Sequence, residues 1–165
     1  MDIQAVSKQL ARDAGTLLTR RAIRCATAES CTGGWVAQVL TSVGGSSAWF
    51  ERGFVTYSNA AKHQMLGVPW AVLNEYGAVS VETAAAMAQG ALRHSEAGVT
   101  VAVTGIAGPE GGTADKPVGT VAFGWAMTGA SADTELAQFA GDRTAIRWQA
   151  VEHAIAGLCR QLTRA

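Results

Sequence analysis

Apolar positions alternate between helical spacing and short continuous runs along this chain, and that alternation predicts the order of its elements. Ile3, Val6, Leu10, Ala14, Leu17 and Leu18 form one face of a helix over residues 3–19, with Asp2 placed as its cap. An apolar-leaning run at 23–28 reads as a strand. Val36, Val39, Leu40 and Val43 then fall at i, i+3, i+4 and i+7, a helix over 35–43. The loop at 44–47 leads to a β-rich stretch at 50–58 that includes Phe54, Val55, Thr56 and Tyr57. Short helices follow at 60–66 and, behind Pro69, at 70–76, with Gly67 and Gly77 as their stops. An alanine-rich helix is predicted at 81–96. The β-branched run at 99–104 has the composition of a strand buried on both faces. A strand at 119–127, an alternating stretch at 134–140 and a helix after Gly141-Asp142 complete the chain. Helices and strands in this order predict one layered α/β domain over residues 1–165. Its sheet is expected to be mixed but mostly parallel, because 119–140 reads as a hairpin, with helices covering it.

Composition narrows the class of function. Thirteen basic and thirteen acidic residues leave no net charge, which argues against nucleic acid or an anionic membrane as partner. Three scattered cysteines (Cys25, Cys31, Cys159) lack C-x-x-C spacing, and the N-terminus lacks the apolar core of a signal peptide. The expectation is a soluble, cytoplasmic protein without a structural metal. His63, His94 and His153 lie on predicted helices without ligand spacing.

Candidate chemistry gathers at the predicted carboxyl ends of strands, where open α/β sheets bind ligands. Ala28-Glu29-Ser30-Cys31-Thr32-Gly33-Gly34 is a strand-to-helix turn. The first amides of a helix lack internal partners, so this turn is a candidate anion or oxyanion site, with Ser30 as a nucleophile beside it. Thr32 also reads simply as a helix cap. Cys31 is the rival nucleophile, but strand alternation turns it away from Ser30 and toward the core. Tyr57, Asn59 and Lys62 follow the second strand, and Thr104 precedes the glycine-rich loop at 105–112. A buried, neutral lysine is able to take a serine proton, so Ser30 and Lys62 are a candidate hydrolytic pair. Arg143 and Arg147 stand one turn apart at the start of the last helix, where cations oppose the helix dipole. A ligand anion or a tertiary carboxylate would account for them.

The chain resembles the CinA C-terminal domain family, the nicotinamide-nucleotide amidases. The resemblance is carried by the Ala28–Gly34 turn, by Gly53-Phe54-Val55-Thr56-Tyr57-Ser58-Asn59 with Lys62, and by Gly77-Ala78-Val79-Ser80. Thr104-Gly105-Ile106-Ala107-Gly108-Pro109, Lys116-Pro117-Val118-Gly119-Thr120 and Gly141-Asp142-Arg143 extend it over nearly the whole chain. The resemblance implies hydrolysis of nicotinamide mononucleotide to nicotinate mononucleotide and ammonia, without a cofactor. Ser30 matches the family's nucleophile, Lys62 its general base and Tyr57 a supporting residue. Thr32, Gly33, Gly34, Asn59, Thr104, Gly105, Gly108 and Arg143 are the expected substrate contacts, and a homo-oligomer is an open possibility. The chain looks like the stand-alone form of the domain. A non-catalytic nucleotide-binding module, or an amidase for another small amide, remain alternative readings of the same loops.

Overall fold

The computed structural model describes residues 1–164. Helix α1 (Ile3–Arg21) starts where the Asp2 carboxylate accepts from the Gln4 and Ala5 amides, and stops at Ala22 in the left-handed conformation. Strand β1 (Cys25–Glu29), helix α2 (Trp35–Leu40), strand β2 (Phe50–Val55) and helix α3 (Asn59–Leu66) follow. Then come α4 (Trp70–Tyr76), α5 (Val81–Arg93), β3 (Val99–Gly105), β4 (Thr120–Met127), β5 (Asp133–Gln138) and α6 (Arg143–Thr163). The strands form one sheet in the order β2-β1-β3-β4-β5. β1 runs parallel to both β2 and β3, and β3–β4 and β4–β5 are antiparallel. Only β4 therefore points against the others, as the hairpin reading of the last strands requires.

Strand alternation divides the core into two layers. Cys25, Val99, Val101, Val103, Phe123 and Trp125 meet α1, α2 and α6 through Leu18, Val39, Leu40, Ile146, Val151 and Leu158. Ala28, Ala102 and Ala126 face α3, α4 and α5 through Leu66, Leu73, Met87 and Ala88. Small residues dominate this second face, so α5 lies almost directly on the sheet. A Cβ at Gly124 of β4 would stand 2.5 Å from the Ala84 carbonyl oxygen. That closeness explains the alanine-rich composition of α5.

Several element ends differ from the periodic reading. α2 stops at Leu40 rather than 43, because Thr41 and Ser42 hydroxyls donate to the Ala37 and Val39 carbonyls and close the last turn. The predicted loop at 44–47 tightens into a 3-10 turn at Ser46–Ala48. β2 ends at Val55 rather than 58, since its partner β1 ends at Glu29 in that register. Among the described residues no helix is long and apolar enough to cross a membrane.

Candidate active site

The chain leaves β1 toward α2 on one face and leaves β2 toward α3 on the other, so a crevice opens beyond the ends of these strands and β3. A cavity of about 250 Å³ occupies it. Ser30, Tyr57, Asn59, Lys62, Thr104 and Arg143 all line that cavity. A larger groove of about 750 Å³ lies along α1 beside Val43 and Trp49. It is away from the carboxyl ends of the strands, and its Lys8 lies on an exposed face, so the smaller cavity is the candidate site.

Ser30 continues β1 by one residue, its amide donating to the Val103 carbonyl at 2.9 Å. Alternation points its side chain toward the α3 layer. Helix α3 is capped there by Ser58, whose hydroxyl accepts from the Ala61 amide. The first turn of α3 thereby aims Lys62 back under the sheet edge, where it is 1% exposed. The Lys62 Nζ lies 3.0 Å from Ser30 Oγ and 3.1 Å from each of the Thr56 and Tyr57 carbonyl oxygens. Among the described residues no carboxylate stands within ion-pairing distance of it. Burial lowers the Lys62 pKa from its ordinary value of 10.5, against an opposing pull from Cys31. Nζ is the donor in all three contacts, and the Ser30 hydroxyl donates to the Tyr57 carbonyl at 3.3 Å. On losing its proton the amine keeps two N–H groups for the carbonyls and gains a lone pair beside Ser30 Oγ.

The turn after Ser30 departs from the anion-site expectation. Glu29, 1% exposed, turns its carboxylate into the turn from below. It accepts from the Thr32 hydroxyl at 2.7 Å, the Val36 amide at 2.8 Å and the Ala37 amide at 3.0 Å. The Val36 and Ala37 amides at the start of α2 are already taken by an internal carboxyl group and are not open to a ligand phosphate. Burial raises the Glu29 pKa, and the hydrogen bonds oppose that rise. Thr32 is fully buried, and neither it nor Gly33 nor Gly34 lines the cavity. The structure thus places none of the three expected contacts on the cavity wall. These glycines serve the turn, both taking positive φ (61° and 103°).

The remaining predicted residues come together with different roles. Tyr57 is exposed at the rim; its carbonyl reaches Lys62, while its hydroxyl accepts from Arg143 at 3.2 Å. Arg143 also donates to the Gly108 carbonyl at 2.7 Å, joining the α6 start to the β3–β4 loop across the cavity mouth. The Thr104 hydroxyl donates to the Ala78 carbonyl at 2.8 Å, and Gly105 and Asn59 line the wall. Arg147 meets neither a carboxylate nor an open anion site: it donates to the Cys31 and Thr32 carbonyls, each at 3.0 Å, and lies over the Trp35 ring. Cys31 is buried in the α1/α2/α6 layer, its thiol pushed up to about 12 by desolvation. His63 and His94 bond the Val68 and Gly90 carbonyls, and His153 meets Glu135 at 3.0 Å. Among the described residues no cluster of metal-ligating side chains forms. Glu29 and Arg147 are the residues whose places sequence reasoning missed. The readable signal was an acidic side chain ending a fully buried strand one turn before a helix.

Comparison with known proteins gives the same picture. The CinA C-terminal domain family matches residues 7–162. The chain is 51% identical over 153 residues to the nicotinamide-nucleotide amidohydrolase PncC of Escherichia coli K12, covering 93% of each. It is also 51% identical over 149 residues to the Pseudomonas putida protein of that name, covering 90% of this chain and 92% of that one. Among solved structures, the competence/damage inducible protein CihA from Agrobacterium tumefaciens superposes with a TM-score of 0.92 at 45% identity, covering 96% of both chains. With the fold, the turn motif and these relatives in agreement, the chain belongs to the CinA C-terminal domain family.

Proposed function

We propose that this protein hydrolyses the carboxamide of nicotinamide mononucleotide to nicotinate mononucleotide and ammonia, with Ser30 as nucleophile and Lys62 as base. The observation that carries the reading is the Lys62 Nζ, buried without a carboxylate and 3.0 Å from Ser30 Oγ. Relatives of about half-identical sequence bear the name of this activity. In the first step Lys62 takes the Ser30 proton while Oγ adds to the carboxamide carbon. The tetrahedral intermediate collapses as Lys62 returns that proton to the amide nitrogen, the C–N bond breaks and ammonia leaves. Water then attacks the Ser30 ester, giving its proton to Lys62, and breakdown returns the proton to Ser30 Oγ and frees the carboxylate.

The Cys31 amide is the proposed oxyanion donor. The Ser30 carbonyl accepts from the Gly33 amide inside the turn. In a trans peptide the Cys31 N–H points the opposite way, out of the turn, and Cys31 lines the cavity. The phosphate is assigned to Arg143, whose guanidinium uses two contacts to span the mouth and has further N–H groups to offer. Asn59, Thr104 and Gly105 complete the wall around the nucleotide. Three free thiols fit the reducing cytoplasm as the place of action. Purified protein incubated with nicotinamide mononucleotide should release ammonia and nicotinate mononucleotide in equal amounts, and the Ser30→Ala protein should not. A folded protein that binds the nucleotide without releasing ammonia refutes the proposal in favour of a binding module.

A further inference from the structure

The clamp around the nucleophile's turn has a role that the reaction scheme leaves unassigned. We propose that Glu29 is a positioning residue for the hydrolysis, holding Ser30 in line with Lys62 from beneath the turn while Arg147 holds it from above. This rests on the amidase reading for its kinetics but on geometry for its substance. Glu29 precedes Ser30 directly, and its side chain fastens points spread over the following turn: the Thr32 hydroxyl and the Val36 and Ala37 amides. Its carbonyl accepts from the Thr56 amide at 2.8 Å, and the Thr56 carbonyl is one of the two that anchor Lys62. One residue thus ties the nucleophile's turn to the base's support. Arg147, from α6, takes the carbonyls on the other side, those of Cys31 and Thr32.

A plain helix cap does not need this arrangement. A serine or asparagine at the surface caps a helix without giving up the solvation of a carboxylate. Here the carboxylate is buried, and the hydroxyl of Thr32, itself a good capping group, is spent on it. What the clamp provides is fixity: the Thr32 hydroxyl, two amides of the following helix and the Cys31 and Thr32 carbonyls are all engaged. A nucleophile misplaced by about 1 Å loses on the order of 10²-fold in rate.

Glu29→Gln is the decisive variant, because it keeps shape but replaces one acceptor oxygen with an NH₂ group. With Oε1 kept as oxygen, that NH₂ faces the Ala37 N–H. We expect kcat to fall on the order of 30–100-fold, KM to stay within about 3-fold, and the rising limb of the pH–rate profile to stay in place. Arg147→Lys removes the two-pronged grip from the opposite side and should show the same pattern, so the proposal is tested even if Glu29→Gln fails to fold. The second-order rate of Ser30 labelling by a fluorophosphonate should fall in parallel in both variants. That labelling separates the two proposals: absent ammonia release by the intact protein refutes the amidase reading, while unchanged labelling in the variants refutes the clamp. A shifted pH limb would mean that Glu29 sets the charge of Lys62. A loss confined to KM would mean that it acts on substrate binding, and a loss equal to the unfolded fraction would make it a structural cap only. Each of those three results overturns the positioning role.

Discussion

Replacing Lys62 by methionine tests the neutral-base assignment through stability as well as rate. Burial without a carboxylate places the folded-state pKa of Lys62 below its ordinary 10.5. Between the folded and unfolded values the unfolded chain binds a proton that the folded protein does not, so stability rises with pH there. The slope for one proton reaches about 1.4 kcal/mol per pH unit, or about 3–5 °C in Tm for a domain of this size. Lys62→Met lacks that component. Plotted against pH, the stability of the variant minus that of the parent should be flat below the folded pKa and fall across the window. It should be flat again above the unfolded value. The offset is not diagnostic, because methionine also removes the Lys62 donor from the Thr56 and Tyr57 carbonyls. The slope is. Urea titrations from about pH 6 to pH 11, followed by tryptophan fluorescence, give the curve. The onset of the slope should coincide with the midpoint of the rising limb of kcat/KM, since both report Lys62 losing its proton. Parallel stability curves, or an onset and a limb more than about one pH unit apart, would refute the assignment of Lys62 as base.

Other variants address the remaining roles. Ser30→Ala should lose at least about 10³-fold in turnover while folding normally, whereas Cys31→Ala should keep most activity because its thiol titrates near 12 and faces the core; the reverse pattern would exchange their roles. Nicotinamide riboside, lacking the phosphate, should be a much poorer substrate than the mononucleotide, and Arg143→Ala should narrow that gap by about 10–100-fold, the worth of one charged hydrogen bond; equal turnover of both by the intact protein would remove the phosphate assignment. Exhaustive chelation should leave turnover unchanged, since Ser30 and Lys62 supply nucleophile and base; loss restored by one divalent ion would refute this. Gly90→Ala should destabilise the fold by about 1–3 kcal/mol in chemical denaturation, because its Cβ would run into the Leu66 carbonyl between α5 and α3; an unchanged midpoint would contradict that packing.

Periodicity made the long helices and the buried strand readable, since Ile3 to Leu18 and Val99 to Thr104 repeat or persist far enough to outweigh local exceptions. Element ends were not readable that way. β2 ends where its partner ends, and α2 ends where two hydroxyls reach back, so neither limit lies in the apolar pattern. The site was legible to the extent that parity carries. Cys25, Thr27 and Glu29 share one face of β1, and Ser30 takes the other. The shared carboxyl ends of the strands suggested Ser30 with Lys62, and parity turned Cys31 away from Ser30 and toward the core. Carried one residue back, it also places Glu29 beneath the helix that follows, where its carboxylate satisfies the amides that looked open to an anion. For Arg147 the sequence offered charge and spacing alone, and for Arg143 the resemblance added a place in the pocket. Their partners are carbonyls and the Tyr57 hydroxyl from distant segments, which only the tertiary fold brings within reach.

The same parity explains how the proposed base, Lys62, stays unpaired next to a buried acid. Glu29 and Lys62 both lie within a few residues of Ser30 or its hydrogen-bond partners, and paired they would hold the amine charged and useless for proton abstraction. They do not pair. The carboxylate lies on the α2 side of β1, spent on amides and a hydroxyl. The amine lies on the α3 side, among carbonyls and the serine. The arginines divide in the same way. Arg147 is committed to the carbonyls of the turn, while Arg143, one helical turn earlier, reaches the cavity mouth. On the proposed reading, a permanent cation thus stands where the phosphate would arrive, and an amine whose charge burial disfavours stands where the proton would be taken. Exchanging those two environments would leave a site that binds the nucleotide and does no chemistry on it.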